Sequence, residues 1–151
     1  MSNETALKPE LKTVDLDDLD LVTTTQSDSA MDARVNFPFS ATFPAATDVG
    51  LEGGHNVVYF ELDPGAALAT HRDSPEEILV CLDGSDVEAW VGDATGTVGA
   101  GELVVVPPMA PHGFRNEGTD VARFLGFFSD RTTVSEFEAP VEPLGAAVLR
   151  T

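Results

Sequence analysis

An all-β sandwich or barrel is the fold class this sequence predicts, and three observations carry it. Short runs rich in β-branched and aromatic residues recur from His55 to Phe137. Glycine, proline and Asp-Gly turn signals separate these runs. No stretch sustains the 3.6-residue apolar period of a long helix. A chain of 151 residues is long enough for one domain with its own core.

The expected organisation is an acidic, partly flexible N-terminal arm over residues 1–33, a barrel over 34–139 and a tail or edge strand over 140–151. Val14 to Val22 holds a short alternation suited to an arm strand, and Thr23 to Ser29 reads as loop. The arm is either a loose acidic lead or a segment that docks on a partner subunit. Arg34 to Phe43 is rich in phenylalanine and broken by Pro38, which suits an irregular or edge strand. Gly50 to Gly54 is a turn, and His55 to Leu62 is a firm strand of β-branched and aromatic residues. Asp63, Pro64 and Gly65 turn the chain. Ile78 to Leu82 is the next strand, and Asp83-Gly84 is a hairpin-type signal.

Val87 to Val91, carrying Trp90, is expected to pair with a strand near Thr95 to Val98. After the turn at Gly99 to Gly101, Leu103 to Val106 is wholly apolar and is expected to be buried on both faces. Gly113 to Asn116, Val121 to Phe128 and Thr132 to Phe137 complete the core strands. Ala146 to Leu149 is suited to an added edge.

Two stretches carry chemistry. Gly65 to Gly84 places His71, Asp73 and Glu77 close together, and all three side-chain types bind metals. Their shared parity points them to one face of an extended backbone, with Glu76 facing away. The Ser74-Pro75 bend can reset that count, so Glu77 is a preference over Glu76. Gly101 to Asn116 supplies His112 just past an apolar run that ends in prolines. Two histidines with one carboxylate form the facial set that leaves metal positions open. Asp73 is open to two roles: a further oxygen ligand, or an acceptor that orients His71.

Cys81 has the parity of Glu77 and is expected to be a small core residue. Phe114, Tyr59 and Phe60 are candidate pocket walls, Asn116 a turn cap, and His55 a surface residue. No phosphate-cradling glycine loop, Ser-His-Asp order or Cys-x-x-Cys pair is present in the sequence.

At these residues the chain resembles the cupin superfamily. Gly65, His71, Glu77 and Gly84 fall at the spacing of that family's first motif, with Asp73 where a second histidine is usual. Gly101, Pro107, His112 and Asn116 match its second motif, with Met109 in place of a glycine. The resemblance spans about residues 55 to 128. The segment from Gly126 through Phe137 to Pro143 is similar to the tail of a small single-domain branch that also carries His-x-Asp. The resemblance implies a double-stranded β-helix, a jelly-roll-like barrel. It also implies a metal held by His71, Asp73, Glu77 and His112, and a homodimer. The metal would be one divalent transition ion: iron, manganese, nickel, cobalt or zinc.

There are 26 acidic against 8 basic residues, a formal net charge of −18, and Lys8 and Lys12 are the only lysines. Such a surface repels nucleic acid and anionic lipid, so neither is an expected partner. Acid excess with few lysines suits a salty cytoplasm, where screening removes self-repulsion; structure is then expected to weaken at low salt. Met1-Ser-Asn-Glu-Thr lacks the basic start and apolar core of a signal peptide. The single cysteine suits a reducing compartment, so a cytoplasmic location is expected.

Three functions follow. The first is a metal-dependent enzyme acting on a small organic molecule, most simply a quercetinase-like dioxygenase. The second is a small-ligand-binding barrel without turnover. The third is a metal-free isomerase or epimerase with His71 as base, which the shortage of basic residues disfavours for phosphorylated sugars.

Overall fold

The computed structural model describes residues 9–151. Leu16–Asp18 forms a short 3-10 turn, and twelve strands follow: β1 (Val22–Thr25), β2 (Asp32–Asn36), β3 (Asn56–Leu62), β4 (Ala67–Asp73), β5 (Glu77–Asp83), β6 (Val87–Val91), β7 (Ala94–Val98), β8 (Leu103–Val106), β9 (His112–Asn116), β10 (Ala122–Phe128), β11 (Val134–Val141) and β12 (Ala146–Arg150). They form two six-stranded sheets, in the orders β1-β2-β3-β10-β5-β8 and β12-β11-β4-β9-β6-β7. The strand pairings are antiparallel.

The sequence pattern explains the layers. Alternation in β5 buries Glu77, Leu79 and Cys81 and turns Ile78 outward, as period-two side chains require. The inner faces meet in a core around Phe60, Phe114 and Phe124, whose ring centroids lie 4.8–5.7 Å apart. Cys81 is fully buried, its Sγ donating to the Asp83 carbonyl at 3.3 Å, and burial pushes its thiol up to about 11. It is a core residue. Phe60 and Phe114 face inward, whereas Tyr59 turns its hydroxyl to Glu61 and Arg123 on the outer face. His55 is exposed. Asn116 ties the turn after β9, donating to the Leu62 and Asp120 carbonyls and accepting from Gly118 N–H.

Several local expectations are corrected. The strand of the N-terminal region is Val22–Thr25, which starts at the end of the Val14–Val22 alternation and runs into the stretch read as loop, and Leu16–Asp18 within that alternation is a 3-10 turn. β1 pairs with β2, and β2 with β3, so the region after residue 21 is built into the first sheet. Residues 1–8 of the arm lie outside the described residues. Asp83-Gly84 does not close a hairpin. The chain there passes from the first sheet to the second, because β5 and β6 belong to different layers. β8 is not buried on both faces: Leu103 and Val105 are 66% and 58% exposed. It is an edge strand paired only with β5, and only its inner face, with Val106, meets the core.

The Met109 departure from the second motif has a visible backbone consequence. Met109 sits at φ 61°, the left-handed conformation that a glycine adopts freely. Its N–H donates to the Asp73 carbonyl at 2.8 Å, which ties the turn before β9 to the end of β4. Among the described residues no helix is long and apolar enough to cross a membrane.

Candidate metal centre

The site is set by strand register. His71 on β4 and His112 on β9 are directly opposed partners, which brings their ring centroids to 4.2 Å. Ser135 and Phe137 on β11 oppose Asp73 and His71 from the other side of β4. Glu77 comes from the first sheet, at the start of β5. The Ser74-Pro75 bend therefore carries the chain across the sandwich between Asp73 and Glu77. Parity along one extended strand is not what unites the three residues; they converge from two layers. Glu76 is exposed and Glu77 is buried, as preferred from the sequence.

The ring nitrogens are sorted by the backbone. Nδ1 of His71 lies 2.8 Å from the Ala69 carbonyl, and Nδ1 of His112 lies 2.9 Å from the Ala110 carbonyl. A carbonyl only accepts, so each Nδ1 carries a proton and each Nε2 points inward. Asp73 Oδ2 lies 3.4 Å from His71 Nε2 and 3.1 Å from His112 Nε2. The other Asp73 oxygen accepts from the Ser135 hydroxyl at 2.6 Å. Oδ2 is buried and has no hydrogen-bond partner. Three ligand-type atoms thus lie within 4.8 Å of one another, an arrangement that could hold a cation. Asp73 stands on the Nε2 side of His71, and the Ala69 carbonyl, not Asp73, faces His71 Nδ1.

Glu77 stands slightly apart. Its Oε1 is 3.5 Å from His112 Nε2, and it lies outside the tight His71–Asp73–His112 group. Gly126 on β10 makes room for it: a Cβ there would come within 2.3 Å of Glu77 Oε2. Phe137 stacks on the His71 ring with centroids 4.6 Å apart and planes tilted by 14°, closing that side to water. The sequence reading missed Ser135, Phe137 and Gly126 as site residues. Ser135 and Phe137 share one parity in the strand expected over Thr132 to Phe137, which the structure places at Val134–Val141, and a lone glycine inside a strand signals close approach. What was lacking was the pairing of β11 with β4.

In the metal-free chain a proton occupies the place of the cation. Burial works against the His112 imidazolium, but Asp73 and Glu77 outweigh it and push His112 up to about 10. Burial also opposes ionisation of Asp73, yet His71 and His112 overcome it and hold its carboxyl well below the usual range. Glu77 goes the other way: burial, helped by the Asp73 charge, raises it.

Metal and proton therefore compete for His112. Nickel(II) affinity is expected to rise at least about tenfold per pH unit between pH 7 and 9. Competition titrations at four pH values would check this, and a flat profile would contradict it. The sign for stability is opposite. A folded-state value raised above the usual 6.5 contributes stability that is complete below pH 6.5 and is lost as pH approaches 10.

Ser135 gives a second test. Its hydrogen bond takes one Asp73 oxygen and aims the other at the histidines. Outer partners of this kind are worth roughly 10–100-fold in metal affinity. Ser135→Ala is expected to weaken nickel binding by that factor, and Ser135→Thr to restore most of it, both read by competition titration.

Comparison with known proteins agrees with this architecture. The family model described as the Cupin domain matches residues 58–128. No curated protein matches the sequence. Among solved structures, a cupin 2 conserved barrel domain protein from Rhodopseudomonas palustris is similar at 22% identity and TM-score 0.59, over 74% of this chain and 72% of its own. A cupin-2 domain from Rhodospirillum rubrum is similar at 21% identity and TM-score 0.58, over 82% and 78%. The polyketide cyclase RemF from Streptomyces resistomycificus is similar at 21% identity and TM-score 0.57, over 79% of each chain. At these identities the likeness is one of fold. Residues 58–128 thus match the Cupin domain model, and the two-sheet barrel around them has the fold of the cupin structures it resembles.

Proposed function

We propose that His71, Asp73, Glu77 and His112 hold one divalent transition metal, and that the chain is a metal-dependent enzyme acting on a small organic molecule. The observation that carries this reading is Asp73 Oδ2, buried with no polar partner other than the two histidine Nε2 atoms it faces. Two imidazoles with one or two carboxylates suit iron, manganese, nickel, cobalt or zinc, and the harder oxygen pair favours iron or manganese over copper(I). When bound, such an ion supplies Lewis acidity and open positions, and a redox-active one supplies the electrons of oxidative chemistry.

The chain's own residues do the rest. Ala69 and Ala110 carbonyls fix the imidazole tautomers, and Ser135 fixes the carboxylate. Phe137, Phe60 and Phe114 keep the pocket dry, which strengthens every polar interaction inside it. A dioxygenase is the simplest reaction for this set. Dioxygen uptake by the iron-loaded chain with a panel of small organic compounds would test it. Uptake that depends on substrate and falls at least tenfold in Asp73→Ala is the expected result; uptake unchanged in Asp73→Ala would remove the reading.

A specific observation supports a second reading, ligand binding without turnover. Among the described residues, His71, Asp73, Glu77 and His112 are the only ionisable side chains lining the pocket, so no separate general acid or base stands beside them. A ligand that raises Tm and is recovered unchanged would favour it.

A further inference from the structure

We infer that the pocket above the four site residues selects a compact, uncharged, mainly apolar molecule with one neutral oxygen donor, and rejects carboxylates and phosphates. This rests on the metal reading above and goes beyond it to the class of ligand.

The first ground is the lining. Among the described residues, Thr24 and Ser135 are its only polar side chains apart from the four site residues, and no lysine or arginine lines it. The remaining wall is hydrocarbon, with Phe37 and Phe43 on one side and Phe137 and Leu149 among the rest.

The second ground is the donor inventory. The Thr24 hydroxyl donates to the Ala33 carbonyl at 2.7 Å, and the Ser135 hydroxyl to Asp73. Both histidine Nδ1 protons face backbone carbonyls. Every side-chain donor around the pocket is committed, so an anion would find none to replace its water. An unpaired buried anion bears a large desolvation penalty.

The third ground is charge. Asp73 and Glu77 together cancel a divalent ion, so the loaded centre offers no net positive charge to a second carboxylate. The chain as a whole, at −18, repels anions as well.

The fourth is size. The cavity measures about 50 Å³. A cavity of this size favours a compact ligand over a large one. Small ketones, amides and alcohols meet all four conditions.

The test uses the full chain loaded with cobalt(II), with metal uptake measured first. Acetone, acetamide and acetate have similar shape and differ in charge; benzophenone is neutral but large. Binding is read from the cobalt visible spectrum and from Tm. Acetone and acetamide are expected to bind at least tenfold more tightly than acetate, and benzophenone not to bind. Acetate binding as well as acetone, or benzophenone binding as well as acetone, would overturn the inference. Leu144→Arg, at the half-buried rim of the pocket, adds the missing cation and is expected to reverse the order of acetone and acetate.

Failure of cobalt uptake would count against the metal reading alone. The ligand order would then be read on the metal-free chain, from the ring proton resonances of His71 and His112. The lining and donor arguments still hold there, because Thr24 and Ser135 keep their backbone and Asp73 partners.

Discussion

His112→Ala is expected to reduce nickel(II) or cobalt(II) affinity by more than the roughly 10–100-fold that an outer partner is worth. The reason is geometric. His112 Nε2 is the nitrogen nearest Asp73 Oδ2, at 3.1 Å, and it also faces Glu77. Without it, His71 and Asp73 remain on β4, with only the more distant Glu77 on β5 beside them. The variant also separates the electrostatic role from the packing role. In the metal-free chain at pH 6 the His112 imidazolium is the cationic partner of buried Asp73. Removing one partner of a buried pair costs about 3–5 kcal/mol. At pH 10 His112 is half-titrated and part of that contribution is already gone. The difference in stability between wild type and variant is therefore expected to shrink as pH rises from 6 to 10, measured by urea unfolding at fixed salt. A difference independent of pH would mean that His112 acts only by filling space.

Gly126→Ala is the second large effect. It adds a single methyl in the middle of β10, yet that methyl would lie 2.3 Å from Glu77 Oε2 and 2.9 Å from a Val58 methyl. Neither neighbour can swing into solvent: Glu77 is 2% exposed and Val58 is 6% exposed. Overpacking of this kind costs about 1–3 kcal/mol. For a chain of this size that is a fall in Tm of about 2–10 °C. The substitution should also push the Glu77 carboxylate off the centre and weaken metal binding. A double-mutant cycle with Glu77→Ala isolates this contact. Gly126→Ala is expected to cost at least about 1 kcal/mol less in the Glu77→Ala background. Equal costs in both backgrounds would assign the strain to Val58.

These two residues also show what the sequence could and could not disclose. His112 was legible because a histidine after an apolar run, in register with a first Gly-His-Glu-Gly motif, is a local pattern. His71, Asp73 and Glu77 were legible for the same reason, although the parity argument that grouped them does not hold across the Ser74-Pro75 bend. Gly126, Ser135 and Phe137 were not assigned to the site. Their roles depend on which strand lies beside which, and strand neighbours distant in sequence leave no local signal.

The same limit explains β8. Its apolar run fits a buried strand or the inner face of an edge strand equally well, and only sheet order separates them. One feature that bears on the role of Asp73 is not carried by the sequence. The Nδ1 atoms are held by backbone carbonyls two residues back, which leaves Asp73 facing the opposite nitrogen of each ring.

The measurement that tests the central claim most directly is metal content per chain. The protein would be purified in molar potassium chloride without chelators, and its metals counted by elemental analysis before and after reconstitution. Close to one iron, manganese, nickel, cobalt or zinc per chain is the result the geometry predicts. Less than a tenth of an ion per chain, even after reconstitution at pH 8 to 9 where His112 can release its proton, would contradict it.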